Sequence, residues 1–104
     1  MWPGRVALYA GPMLVITRFR TSQPDMLGER VDRALAVLRD RPGFEEADLV
    51  RNLDEPELWA LLLRWRDVGS YRRALQGYES KVTVVPLLSE ALDEPSAYED
   101  PELL

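Results

Sequence analysis

The sequence predicts a single α+β domain, and three observations carry that expectation. Residues 13–20 combine β-branched and aromatic side chains, and residues 46–53 and 59–65 alternate at strand spacing. Apolar residues recur at helical spacing over 27–38 and again over 68–78. The chain has 104 residues, 46% of them hydrophobic and 30% charged, which suits one soluble core.

Residues 13–20 open the domain as a strand that ends in alternating polar and aromatic side chains. Ser22, Gln23, Pro24 and Asp25 then supply helix-start chemistry: a capping hydroxyl or carboxylate, and a proline suited to the first turn. From there Leu27, Val31, Ala34, Leu35 and Leu38 form one face of a helix of about four turns. Glu29, Arg30, Asp32, Arg33 and Arg39 fill its opposite side, and Arg41, Pro42 and Gly43 end it.

Ala47, Leu49, Arg51 and Leu53 alternate with Glu46, Asp48, Val50 and Asn52, as in a second strand with one wet face. Asp54, Glu55, Pro56 and Glu57 make a turn, and the third strand follows. Trp59, Leu61, Leu63 and Trp65 share one of its faces, with Ala60, Leu62, Arg64 and Arg66 on the other. The pair reads as an antiparallel hairpin. A second helix is expected over 68–78, with Tyr71, Ala74, Leu75 and Tyr78 on one side. Residues 81–88 are apolar and β-branched but carry Pro86, so irregular, helical and short-strand conformations all stay open. Residues 89–99 read as a last strand that Pro95 confines to an edge, an end or a bulge.

The order strand, helix, strand, strand, helix, strand is the ferredoxin-like βαββαβ arrangement, an antiparallel sheet with both helices on one face. The other face must be solvated or find a partner. Either the Trp59–Trp65 row or its neighbours would then cover a second sheet, so a homodimer is expected. Residues 1–12 read as an N-terminal extension, 13–99 as the domain and 100–104 as a short acidic tail.

Composition removes whole classes of chemistry. There is no Cys, hence no disulfide framework, thiolate nucleophile or iron–sulfur cluster. There is no His, hence no imidazole base and no His-ligated haem or zinc. Thirteen basic residues against 18 acidic ones give a net charge of −5, which repels phosphate backbones and argues against nucleic-acid binding. Gly11 and Pro12 interrupt the one stretch that resembles a signal-peptide core, and that stretch is too short to span a bilayer. A cytoplasmic location is the expectation. No Gly-rich phosphate loop or dinucleotide fingerprint is present. Neither a cofactor nor a metal site is expected.

The candidates for chemistry are few, and each has a structural alternative. Trp65, near the end of the third strand, either packs a core or interface or lines a ligand cavity between sheet and helices. Tyr71, six residues later, either packs its helix on the sheet or places a hydroxyl in the same space. Arg18, Arg20, Arg64 and Arg66 either cover a sheet edge or, turned inward, bind an oxyanion through the guanidinium fork. Asn52 suits local backbone bonding at the hairpin turn. The carboxylates Glu45 and Glu46, Asp54 and Glu55, and Asp93 and Glu94 are poor pairs, because strand neighbours point to opposite faces.

Several short motifs, in their order and spacing, resemble the antibiotic biosynthesis monooxygenase superfamily. They are the run Leu14, Val15, Ile16, Thr17, Arg18 and Phe19; the turn Arg41, Pro42, Gly43 and Phe44; and the hairpin signal Leu53, Asp54, Glu55 and Pro56. Trp65, Arg66 and Asp67 complete the set, followed by Ser70 with Tyr71 and by Ala74 with Leu75. The resemblance spans residues 13–99 and implies a dimeric α/β barrel built from ferredoxin-like halves. Some members oxidise polycyclic phenols to quinones with oxygen alone. Their strand Trp and helix Tyr match Trp65 and Tyr71, while the Asn four residues before the Trp is Leu61 here. Other members degrade haem with a helix His and a first-strand Asn, and those positions correspond to Leu75 and Thr17. The resemblance thus implies a cofactor-independent oxygenase for an aromatic phenol, with Trp65 and Tyr71 lining the site and Arg18 stabilising the phenolate. The alternative is a non-catalytic dimer that binds a small ligand.

Overall fold

The computed structural model describes residues 12–103. Strand β1 (Met13–Arg20) leads to helix α1 (Pro24–Leu38), and β2 (Phe44–Arg51) and β3 (Leu58–Trp65) follow as a hairpin. Helix α2 (Val68–Ala74) comes next, then a π-helical turn (Ser80–Val84) continuous with α3 (Val85–Leu88). The short strand β4 (Ala97–Glu99) and a 3-10 turn (Pro101–Leu103) complete the described chain. The sheet has the order β2-β3-β1-β4 with every pair antiparallel. This is the ferredoxin-like arrangement, with one helix more than the two expected. The extension expected over residues 1–12 lies, apart from Pro12, outside the described residues.

Periodicity places the core. The five apolar positions of the α1 stripe are the five buried residues of that helix. On β1, Met13, Val15, Thr17 and Phe19 face the helices; on β3, Leu61, Leu63 and Trp65 do the same. Ala74, Val84 and Leu87 close the cluster from the second half of the chain. The Trp59–Trp65 row is therefore the helix-facing row. Its neighbours Ala60 and Leu62, with Leu14 and Ile16 of β1, lie half-buried on the open face.

Local chemistry explains the joints. Pro24 occupies the first turn of α1, and Gln23 takes the N-cap position without a side-chain cap. The Thr21 hydroxyl makes a local turn just ahead of the helix, its Oγ1 accepting the Gln23 N–H at 2.9 Å. Asn52 Oδ1 accepts the N–H groups of Asp54 and Glu55, both at 2.8 Å, and so builds the hairpin turn as a local backbone ligand. Gly43 adopts φ +90° on entry to β2, a conformation that suits glycine and strains other residues.

The second half departs from expectation in three places. Helix α2 stops at Ala74 instead of 78, because Gly77 turns the chain at φ +90° and Ser80 Oγ donates to the Ala74 carbonyl at 2.6 Å. Tyr78 consequently leaves the packing face and is 80% exposed. Residues 80–88 are helical, with Pro86 in the first turn of α3 directly after the π-helical turn. The last strand shrinks to three residues paired with Met13–Val15. Residues 89–96 instead cross the free edge of β1, tied by Ile16 N–H to the Ser96 carbonyl (2.7 Å) and Leu92 N–H to the Arg18 carbonyl (2.8 Å).

Candidate functional site

That crossing creates a cavity. Where β4 ends, the 89–96 segment stays tied to the β1 edge only at Ile16 and Arg18, and it encloses about 350 Å³ beside that edge. Thr17 and Tyr71 line it on the helix side, together with Leu88, Ala91 and Leu92, while Ile16, Arg18 and Glu94 lie toward the other face. The volume is within the usual range for small-molecule sites. Thr17 is only 6% exposed.

Tyr71 comes from the middle of α2, which Asp67 caps by accepting the Ser70 N–H at 2.7 Å. Burial pushes the Tyr71 hydroxyl above its ordinary pKa, so at neutral pH it is a phenol with a proton to donate. Its ring packs on Trp65 at 6.1 Å between centroids and 51° between planes. Phe44 meets the far side of Trp65 edge-on, at 5.2 Å and 86°.

The three expected site residues therefore separate. Tyr71 lines the cavity. Trp65 does not: it is 0% exposed, sealed between Phe44 and Tyr71, and acts on the cavity only through the tyrosine it supports. Its indole N–H is buried without an acceptor among the described residues, as is that of Trp59. Arg18 lines the cavity from the open-face side, not turned inward beneath the helices. Glu94 grips it bidentately, Nε to Oε2 at 2.7 Å and Nη2 to Oε1 at 2.8 Å. The same hydrogen bonds raise the Arg18 pKa and hold the Glu94 carboxyl below the usual carboxylate range.

The other strand arginines are surface partners: Arg20 meets Glu55 at 3.1 Å and Arg64 meets Glu46 at 3.6 Å. Leu61 and Leu63 are each 1% exposed, and Leu75 packs against the same core, so no space remains beneath the middle of β3. Sequence reasoning missed Glu94 and the aliphatic wall Leu88, Ala91 and Leu92, whose setting depends on a loop closing 76 residues away from Arg18. Among the described residues no group of three or more acidic side chains is close enough to hold a metal ion, and no helix is long and apolar enough to cross a membrane.

Known structures repeat this architecture. A cofactor-independent oxygenase, SnoaB from Streptomyces nogalater, is similar at a TM-score of 0.72 with 22% identity, covering 86% of this chain and 92% of that one. A conserved protein from Methanosarcina mazei Go1 is similar at 0.69 with 20% identity, over 85% and 91%. A heme-degrading protein from Mycobacterium tuberculosis shares the fold at 0.57 with 16% identity, over 64% and 79%. At these identities the likeness is one of fold, and that fold serves more than one chemistry. No curated protein matches the sequence. The family model described as antibiotic biosynthesis monooxygenase matches residues 12–84, from the entry to β1 through the π-helical turn, and the chain belongs to that family.

Proposed function

We propose that the protein is a cofactor-independent monooxygenase that oxidises an aromatic or polycyclic phenol, working as a cytoplasmic homodimer. The observation that carries this reading is the cavity: an apolar wall (Leu88, Ala91, Leu92), a protonated tyrosine and the Arg18 guanidinium, with the Asp93 and Glu94 carboxylates beside it, around about 350 Å³. An electron-rich phenolate needs no cofactor to react with oxygen, because it can pass an electron to oxygen directly. Oxidation of a ring methylene to a carbonyl is balanced by one oxygen molecule: one atom enters the substrate and the other leaves as water with the two methylene hydrogens. The protein's part is to bind the ring, favour its deprotonated form and keep bulk water out. Arg18 stabilises the phenolate once the substrate oxygen takes the place of Glu94, and Tyr71 donates a hydrogen bond to a second oxygen. Trp65 is a positioning residue that fixes the Tyr71 ring.

The open sheet face supports the dimer. Leu14, Ile16, Ala60 and Leu62 are half-buried there, flanked by Val50 at 48% and Tyr98 at 50% exposure. A second sheet laid on this face would remove a contiguous apolar surface from water.

A second reading, a non-catalytic dimer that binds a small ligand, is favoured by one observation. Leu61 and Leu63 are sealed in the core, leaving no polar group beneath β3 to share the chemistry. Oxygen-electrode measurements with an anthrone-type phenol decide between the two. The oxygenase consumes oxygen in the presence of a chelator, at least tenfold more slowly as Tyr71→Phe. Ligand binding without oxygen uptake across a panel of phenols overturns the oxygenase in favour of the binding dimer.

A further inference from the structure

The segment that walls the cavity brings acidic side chains and no basic ones. No Lys or Arg follows Lys81 in the sequence, while residues 89–96 carry Glu90, Asp93 and Glu94. Two of these have a cation. Arg30 Nη1 donates to Glu90 at 2.6 Å, and Arg18 holds Glu94 through bonds of 2.7 and 2.8 Å. Asp93 lines the cavity beside Glu94 but forms no ion pair or side-chain hydrogen bond among the described residues. The lining thus holds one guanidinium and two carboxylates.

That imbalance constrains what can replace Glu94 on Arg18. A plain phenolate that takes the guanidinium leaves Glu94 without a cation, next to an Asp93 that already lacks one. Three negative groups then share a single positive one. The Arg18 and Glu94 side chains are 41% and 30% exposed, so water weakens the repulsion without removing it. A ligand with a positive end relieves it, because its cation meets the carboxylate that the exchange has freed.

We infer that the cavity selects phenols that carry a cationic amine, Arg18 receiving the phenolate and Asp93 with Glu94 the ammonium group. The inference rests on the phenol reading of the same cavity and adds the charge of the substrate. The apolar wall of Leu88, Ala91 and Leu92 takes the ring. An ammonium group is a compact cation with three donors, which lets it serve two carboxylates at once. One exposed ion pair changes affinity roughly two- to fivefold, so two should favour the amine by about fivefold or more.

The test is equilibrium binding of three nitrophenols to the full chain, read from the phenolate absorbance band under mildly alkaline conditions at constant ionic strength. The probes are the ortho-nitro derivatives of tyramine, para-ethylphenol and para-hydroxyphenylacetate. The nitro group keeps each phenol ionised, so Arg18 meets the same oxyanion and only the charge of the tail differs. The aminoethyl probe should bind at least about fivefold more tightly than the ethyl probe, and the acetate probe most weakly. Asp93→Asn and Glu94→Gln should each cut the amine's advantage over the ethyl probe at least about twofold. Glu29→Gln makes the same change of charge on the exposed side of α1 and should leave that advantage intact. The advantage is a ratio of two affinities, so partial unfolding of a variant does not move it. Equal affinity for the three probes, or an unchanged advantage in both cavity variants, would overturn the amine assignment and leave the phenol reading standing. Absence of binding by all three would overturn both.

Discussion

Replacing Trp65 by Phe separates packing from hydrogen bonding in the core. The indole is 0% exposed and held between Phe44 and Tyr71. Phe retains both aromatic contacts but vacates roughly 40 Å³, which costs about 1 kcal/mol at the usual price of a buried cavity. Against this stands the indole N–H, buried without an acceptor among the described residues. Deleting an unmet buried donor returns about 1–3 kcal/mol. The two effects nearly cancel, so Trp65→Phe should lie within about 1 kcal/mol of the parent or be slightly more stable, whereas Trp65→Ala should lose about 3–5 kcal/mol. Urea unfolding followed by far-UV circular dichroism, at one fixed protein concentration because association adds to stability, measures both. A loss above about 3 kcal/mol in Trp65→Phe would refute the reasoning, since only a satisfied N–H makes its removal so costly.

Two further outcomes follow from the open face and from the ion pairs. Light scattering at micromolar concentration should give twice the 11.9 kDa chain mass, and Leu62→Arg should halve it by charging the centre of the apolar face; a monomeric parent refutes the dimer. Arg18 and Arg30 hydrogen-bond Glu94 and Glu90, and the Ser70 N–H bonds Asp67, so all three carboxyls titrate below their ordinary values. Depressed folded-state values mean that the stability they add is present above the ordinary carboxylate range and is lost as pH falls through the lower, folded values. The Tm should therefore drop on acidification below about pH 4.5, the ordinary Glu value, and less steeply in Glu94→Gln. An unchanged slope in that variant would remove Glu94 from the acid response.

What was legible in the sequence was whatever periodicity controls. The α1 stripe and the alternation of β3 fix which side chains face inward, because a helix and a strand each impose one period on burial. Asn52 was readable for the same local reason: its side chain bonds backbone two and three residues ahead. Long-range closure was not readable. The β-branched run at 82–85 favours an extended chain by propensity, yet packing of Val84 and Leu87 into the core makes it helical. The cavity depends on β4 stopping after three residues, and the sequence marks that only through Pro95. Glu94 makes a poor pair with its neighbour Asp93, and its partner is instead Arg18 on a distant strand.

The position of the cavity decides how much of the family's chemistry this chain can retain. Were the reactive space beneath β3, Leu61 and Leu63 would have abolished it, since both are sealed in the core. The open volume lies instead past the end of β4, against the outer edge of β1. Of the residues that match the phenol-oxidising branch, only Tyr71 reaches both regions: its ring packs on Trp65 and its side chain lines the cavity. On the proposed reading, a substrate held there meets Thr17 and Tyr71 on one side and Arg18 on the other. The test falls on Arg18, whose guanidinium must exchange the Glu94 carboxylate for a substrate oxygen before it can act. Release of that ion pair by Glu94→Gln should therefore strengthen phenolate binding if the site is an oxygenase site, and a weakened affinity would show that Glu94 itself holds the ligand.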